Sequence, residues 1–356
     1  MSANQFADAS ARMTLDLGLA VPLFLLCAAV IGVGGVLMTT VADCLADRTG
    51  LGEALVGGVL LGVSTSLSGT VTSISAAYDG HAALAVANGV GGIAVQTVFL
   101  AVGDLLYRRA NLEHAAASIT ALVQLGLLLL LLGLAMAAAT APEVAVLGLH
   151  PINVVLVGGY ILGVRLTRQV QTEPMWYPRR TAELRVDQPE ADPFPNTRTL
   201  ALTLRYLGLA VVLGFAGWGV AKTGYAIVQE TGLSQSFVGA AFTATITSLP
   251  ELVITLAAVR RGALQLAVSG IVGGNTFDVL FLVLSDAGYR AGSIYHAVGP
   301  MELFLIAWAV VMSAVLLLGL LHREQRGMGR IGWESATLIA VYLAGLLVQV
   351  WGAAGG

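Results

Sequence analysis

Thr247-Ser248-Leu249-Pro250-Glu251 stands in the middle of an apolar stretch of this 356-residue chain. A proline and a carboxylate inside such a stretch are both costly, so each asks for a reason. Pro250 has no N–H, so the carbonyl of Ile246 loses its helical partner. Thr243, Thr245, Thr247 and Ser248 surround that break with hydroxyls. Freed carbonyls, hydroxyls and a carboxylate make a hard-oxygen site, suited to Na+, Ca2+ or a proton rather than a soft metal. Thr247 and Glu251 are one helical turn apart and share a face. Further on, Gly273-Gly274-Asn275-Thr276-Phe277-Asp278 adds a second carboxylate within an apolar run. An idle acid at that depth costs several kcal/mol, so a functional role is the expectation for both. The paired glycines predict a close crossing of the two segments that carry these acids.

The first of these motifs has a twin 182 positions upstream (247 − 65), Thr65-Ser66-Leu67-Ser68-Gly69, which lacks the proline and the acid. Residues 56–110 align without a gap on 238–292, and about a third of the pairs are identical. The matches include Val56/Val238, Gly80/Gly262, Gly91/Gly273, Gly92/Gly274, Asp104/Asp286 and Arg108/Arg290. Such a repeat is the main organising fact of the chain.

The elements that must position these residues follow from composition. The chain is 57% hydrophobic and 11% charged, with a mean hydropathy of +0.83, which excludes an ordinary soluble domain. A span needs roughly 20 apolar residues. Ten such stretches are expected, near 15–40, 52–77, 83–106, 117–139, 144–166, 199–228, 236–259, 264–286, 300–320 and 333–352. The expected architecture is therefore an all-α polytopic membrane protein of ten transmembrane helices in two halves of five. Five is odd, so the second half enters the membrane from the opposite side. This is an inverted-topology repeat with broken helices at a midplane site. Residues 1–167 form the first half, 168–198 a proline-rich linker and 199–356 the second half.

Arginines gather in alternate loops, among them Arg48, Arg108, Arg109, Arg165, Arg179 and Arg323; the opposite loops hold only Arg12, Arg290 and, at a helix end, Lys222. The positive-inside rule then puts the linker in the cytoplasm and both termini outside a cell inner membrane. Lipid is the expected surround. No phosphate-cradling G-x-x-x-x-G-K-[ST] loop is present, so neither nucleotide nor nucleic acid is an expected partner, and no cofactor or catalytic residue is expected. Asp104 with Arg108 and Asp286 with Arg290 are four apart and read as surface ion pairs. Cys27 and Cys44 read as packing thiols, and none of the five histidines has a partner at ligand spacing.

Thr247-Ser248-Leu249-Pro250-Glu251 followed by Gly273-Gly274-Asn275-Thr276-Phe277-Asp278 resembles the second α-repeat of the sodium/calcium exchanger (cation/Ca2+ antiporter) superfamily, prokaryotic type. That family's pattern is G-T-S-L-P-E followed by G-S-N-x-x-[N/D]. The resemblance implies a secondary active antiporter, not an enzyme, exchanging Ca2+ against Na+ by alternating access. It implies that Glu251, Asp278, Ser248 and backbone oxygens near Ala244 and Thr247 bind the ions, and that the first helix of each half slides against the other eight. The first repeat departs from the pattern. The family's glutamate falls on Gly69, its proline on Ser68, and the last position of its second motif on Gln96. The serine of G-S-N is Gly92 here and Gly274 in the second copy. Thr65 and Ser66 remain as oxygen donors. Asn88 and Gln96 share a helix face and serve either as ligands or as bonds between helices; Asn275 completes the candidate set. A site with two acids and neutral dipoles holds a divalent ion less tightly than one with three. A cation/proton or monovalent-cation exchanger is the alternative reading. A non-transporting membrane scaffold or sensor is a third.

Overall fold

The computed structural model describes residues 15–49, 57–107, 109–146, 148–179, 181, 183–184, 193–327 and 331–354. Arg12, Val56 and Arg108 lie outside the described residues. Apart from one isolated bridge between Val146 and Leu149, the described secondary structure is helical. The first half holds α1 (Leu17–Thr49), α2 (Gly57–Tyr78), α3 (Ala82–Leu106), the single turn α4 (Leu112–Ala115), α5 (Ile119–Thr140) and α6 (Ile152–Thr172). The second half begins with α7 (Thr199–Thr231). A broken segment follows, built of α8 (Gln235–Phe237), a π-helical turn (Val238–Thr243), α9 (Ala244–Thr247) and α10 (Leu249–Arg261). Then come α11 (Leu264–Asp278), α12 (Leu280–Gly288), α13 (Pro300–His322) and α14 (Trp333–Ala354).

Among the described residues, seven helical segments are long and apolar enough to cross a membrane, and an eighth if Gln235–Thr247 and Leu249–Arg261, bent by 50°, count as one. The hydroxyl-rich α2 and the arginine-bearing α6 are not among them. The bend falls at Ser248, whose φ of −97° and ψ of 7° lie in the sparsely allowed bridge region just ahead of Pro250.

The repeat runs much further than the two motifs. Moving α1 by 182 positions (199 − 17) lands on both ends of α7. The same shift carries α3 onto α11 and α12 together, and α5 and α6 onto α13 and α14 to within a residue. Local geometry follows it. Gly80 and Gly262 hold the same left-handed conformation, φ 86° and 82°, in the turns after α2 and α10, where a Cβ would be strained.

Long-range contacts obey the same shift. A Cβ on Gly35 of α1 would stand 2.3 Å from Cγ of Pro250, and one on Gly217 of α7 would stand 2.4 Å from the carbonyl oxygen of Ser68. Gly217 is the repeat partner of Gly35, and Pro250 that of Ser68. Thus each half's long first helix passes the other half's second segment at a glycine.

The aspartates correct the surface ion-pair reading. Asp104 and Asp286 are 1% and 0% exposed. Asp104 accepts from the backbone N–H of Leu112 at 2.6 Å and of Gly332 at 3.0 Å. Asp286 accepts from Ile294 at 2.8 Å and His150 at 2.8 Å, and also from the Asn153 amide at 2.6 Å. Leu112 and Ile294 are repeat partners, as are His150 and Gly332. A buried carboxylate that receives several N–H donors needs no cation beside it. The Arg290 guanidinium instead lies over the Tyr78 ring, 5.4 Å from its centroid.

Beyond Thr172, where α6 ends, the described part of the linker carries no helix and docks on the body at two places. The Arg48 guanidinium, at the end of α1, donates to the carbonyls of Phe194 and Thr197. Arg323, after α13, donates to the carbonyl of Arg179 at 3.0 Å, and Gln325 donates to Glu183 at 2.8 Å.

Candidate cation site

α3 is the most enclosed helix, buried along nearly its whole length. Around its middle stand α2, the break before α10, and the junction of α11 and α12. Here a small cavity of about 10 Å³ opens, room for one water-sized sphere. Ser66, Gly69, Asn88, Gly92, Gln96, Thr247, Ser248, Glu251, Asp278 and Phe281 line it. The two acids expected from the sequence meet in it, 6% and 2% exposed.

The polar contacts are ordered. The Ser66 hydroxyl donates to Oδ1 of Asp278 at 2.6 Å, and the Gln96 amide donates to Oδ2 at 2.7 Å. The same amide nitrogen lies 3.1 Å from Oγ of Ser248. Gln96 and Asp278 are repeat partners, and so are Ser66 and Ser248, so this network joins the two copies of the repeat. The Thr65 hydroxyl hydrogen-bonds the Glu251 carboxylate. Oε2 of Glu251 and Oε1 of Gln96 are buried without a donor among the described residues. Unpaired acceptors of this kind are destabilising unless something positive or protic faces them.

Other candidates have structural partners. The Asn88 amide donates to Gly69 O at 3.2 Å and Ser73 Oγ at 2.9 Å, and its Oδ1 accepts from Thr243 at 2.7 Å. Asn88 therefore ties α2, α3 and the π-helical turn together. The Asn275 amide donates to Oγ1 of Thr97 at 3.0 Å, and Asn275 does not line the cavity. The Ala244 carbonyl accepts from Ser248 N at 3.1 Å and lies 3.3 Å from the Thr247 hydroxyl. Ala244 is also outside the cavity lining. Next to the break, it is the Thr247 carbonyl that receives a cross-half hydroxyl, from Ser68 at 3.4 Å. Gly273 and Gly274 do not mediate the expected crossing with the segment that carries Glu251. A Cβ on Gly273 would face Gln124 on α5, and one on Gly274 would face Gln96 on α3.

Sequence reasoning missed Phe281. Its signal was the identity of Phe99 and Phe281 within the repeat. Only Phe281 lines the cavity.

A family model described as sodium/calcium exchanger protein matches residues 19–163 and 200–351. The chain belongs to the sodium/calcium exchanger family. The stretch between the two matched regions, 164–199, coincides closely with the linker. The sodium/calcium exchanger MaX1 of Methanosarcina acetivorans is 32% identical over 117 residues, 33% of this chain and 31% of that protein. The chain thus matches about a third of that relative's length. The putative antiporter CaxA of Alkalimonas amylolytica is 25% identical over 311 residues, 85% of this chain and 89% of that protein. Two solved exchangers share the fold. The H+/Ca2+ exchanger CAX superposes with a TM-score of 0.68 at 14% identity, covering 94% of this chain and 85% of that one. The sodium-calcium exchanger NCX_Mj superposes at 0.60 with 19% identity, covering 93% and 99%. This family member is accordingly a multi-pass membrane protein and a cation antiporter, a secondary transporter rather than an enzyme.

Proposed function

We propose that this exchanger carries Ca2+ against Na+ across the cell inner membrane by alternating access, with Glu251 and Asp278 as the charged ligands. One observation carries the reading. Two buried carboxylates share one ion-sized cavity whose other polar groups are hydroxyls, amides and backbone. The unpaired oxygens of Glu251 and Gln96 fit a hard cation. Thr247, Ser248, Thr65 and Ser66 supply or orient further oxygens. The ten-span, inverted arrangement, with both termini outside and the linker cytoplasmic, is part of the proposal. The shared 182-residue register and the paired aspartates support it. The glycine crossings at Gly35 and Gly217 give α1 and α7 smooth tracks, consistent with sliding of these two helices.

Coupling to protons is the second reading, favoured by one observation. Both acids come from the second half, and two carboxyls balance one Ca2+ or two protons. Reconstitution in liposomes separates the two. Under the first reading, an outward Na+ gradient drives Ca2+ uptake and Glu251→Gln abolishes it. Uptake driven only by a pH gradient selects the second. Flux of neither Ca2+ nor Na+ under any gradient removes both.

A further inference from the structure

The two halves of the site differ most at one pair of positions. Glu251 in the second repeat corresponds to Gly69 in the first, and Ile271 corresponds to Gly89. These two glycines form a slot, and the Phe281 ring fills it. A Cβ on Gly89 would stand 3.2 Å from Cβ and 3.4 Å from Cδ2 of Phe281. A Cβ on Gly69 would stand 2.8 Å from Cε2 and 3.1 Å from Cζ. The base of the ring therefore rests on Gly89 and its tip on Gly69. Phe281 is 4% exposed, and its ring packs edge-on to Phe277, with centroids 6.4 Å apart.

Resting on the antiporter reading above, we propose that Phe281 is a specificity-determining residue: its ring occupies the room of a first-repeat carboxylate and confines the site to one ion held by Glu251 and Asp278. Two separate glycines serve the same ring. The repeat partner Phe99 does not line the cavity. A side chain added at Gly69 meets the ring tip, and the packed ring has the cavity as its open side. A third acid is thus excluded by shape as well as by sequence. The effect of any residue at position 69 depends on position 281, which is the signature of contacting sites.

The test is a double-mutant cycle read by Ca2+ calorimetry on the purified full chain in detergent, with melting temperature as the folding control. The proteins are wild type, Gly69→Ala, Gly69→Glu, Phe281→Ala and the two double variants. With Phe281 present, Gly69→Ala weakens Ca2+ binding about tenfold and Gly69→Glu fails to tighten it. With Phe281→Ala, Gly69→Ala changes affinity less than about threefold, and Gly69→Glu tightens binding at least about tenfold. Unfolding of Gly69→Glu that Phe281→Ala rescues also supports the proposal. Equal effects of either Gly69 substitution with and without the ring overturn it. If wild type binds Ca2+ and Glu251→Gln weakens binding while the cycle is additive, only this inference fails. If wild type binds no Ca2+ or other cation, the antiporter reading itself fails.

Discussion

Glu251→Gln is the sharpest perturbation of the site, because it removes a charge and little else. The amide keeps the length of the side chain and can still accept from Thr65. Both oxygens of Asp278 are already engaged, by Ser66 and Gln96. Oε2 of Glu251, by contrast, is a buried carboxylate oxygen with no donor among the described residues. Removing one member of a buried charge pair costs about 3–5 kcal/mol. At 1.4 kcal/mol per tenfold, Ca2+ binding should weaken by about 150- to 4,000-fold. Ser66→Ala deletes one hydrogen bond to a charged group, about 1.5–3 kcal/mol, and should weaken binding by about ten- to 150-fold. Calorimetric Ca2+ titration of the purified variants gives both numbers. An affinity for Glu251→Gln within about threefold of wild type would refute the assignment of Glu251 as a ligand.

Four further outcomes follow from described contacts. Asp286→Ala strands three buried donors and Asp104→Ala two, at about 1–3 kcal/mol each, so thermal-shift assays should show the larger drop for Asp286→Ala. Gly91→Val places a Cβ 2.5 Å from Cα of Ala240 and should cost about 1–3 kcal/mol or more, whereas Gly126→Ala, with nothing within 4 Å, should leave the melting temperature unchanged. Gly92→Ser should fold and bind Ca2+ at least as well as wild type, since a Cβ there stands 3.7 Å from Asp278 and Ser248; a lower melting temperature would count against this geometry. Burial of His81, whose ring stacks on Tyr225 at 3.5 Å, lowers its pKa below 6.5. The unfolded chain then takes up that proton first, so stability should fall as pH drops below about 6.5. Melting curves at pH 7.5 and 5.5 should show that fall in wild type and a smaller one in His81→Phe.

Most of the apolar helices, the repeat and the two acids were legible in the sequence because each leaves a local mark. A long apolar run, a proline ahead of a carboxylate and a gap-free self-match need no knowledge of packing. Glu251, Asp278, Gln96, Ser66, Thr247 and Ser248 line one cavity. The errors came where partners are distant in the chain. Asp104 and Asp286 looked like surface residues because a basic residue stands four positions on, while their true partners are backbone N–H groups and, for Asp286, the Asn153 amide as well. Asn275 carries a motif's amide yet spends it on Thr97. The full extent of the repeat was hidden because α5 and α13 share length and hydropathy, and α6 and α14 share length, but few identities. Phe281 escaped notice since a phenylalanine in an apolar helix is unremarkable until its neighbours are two glycines.

The crossed bonding of the two aspartates is symmetric in space but not in time. A chain made from its N-terminus inserts Asp104 early, while one of its two backbone donors, at Gly332, lies 228 residues further on and arrives only after α7 to α13. Asp286 meets the opposite situation, for His150 already waits when it enters. The first half therefore waits through the synthesis of α7 to α13 with an under-bonded acid at its edge. Each half completes the other's aspartate, and the donor that the first half waits for stands at the entry of α14.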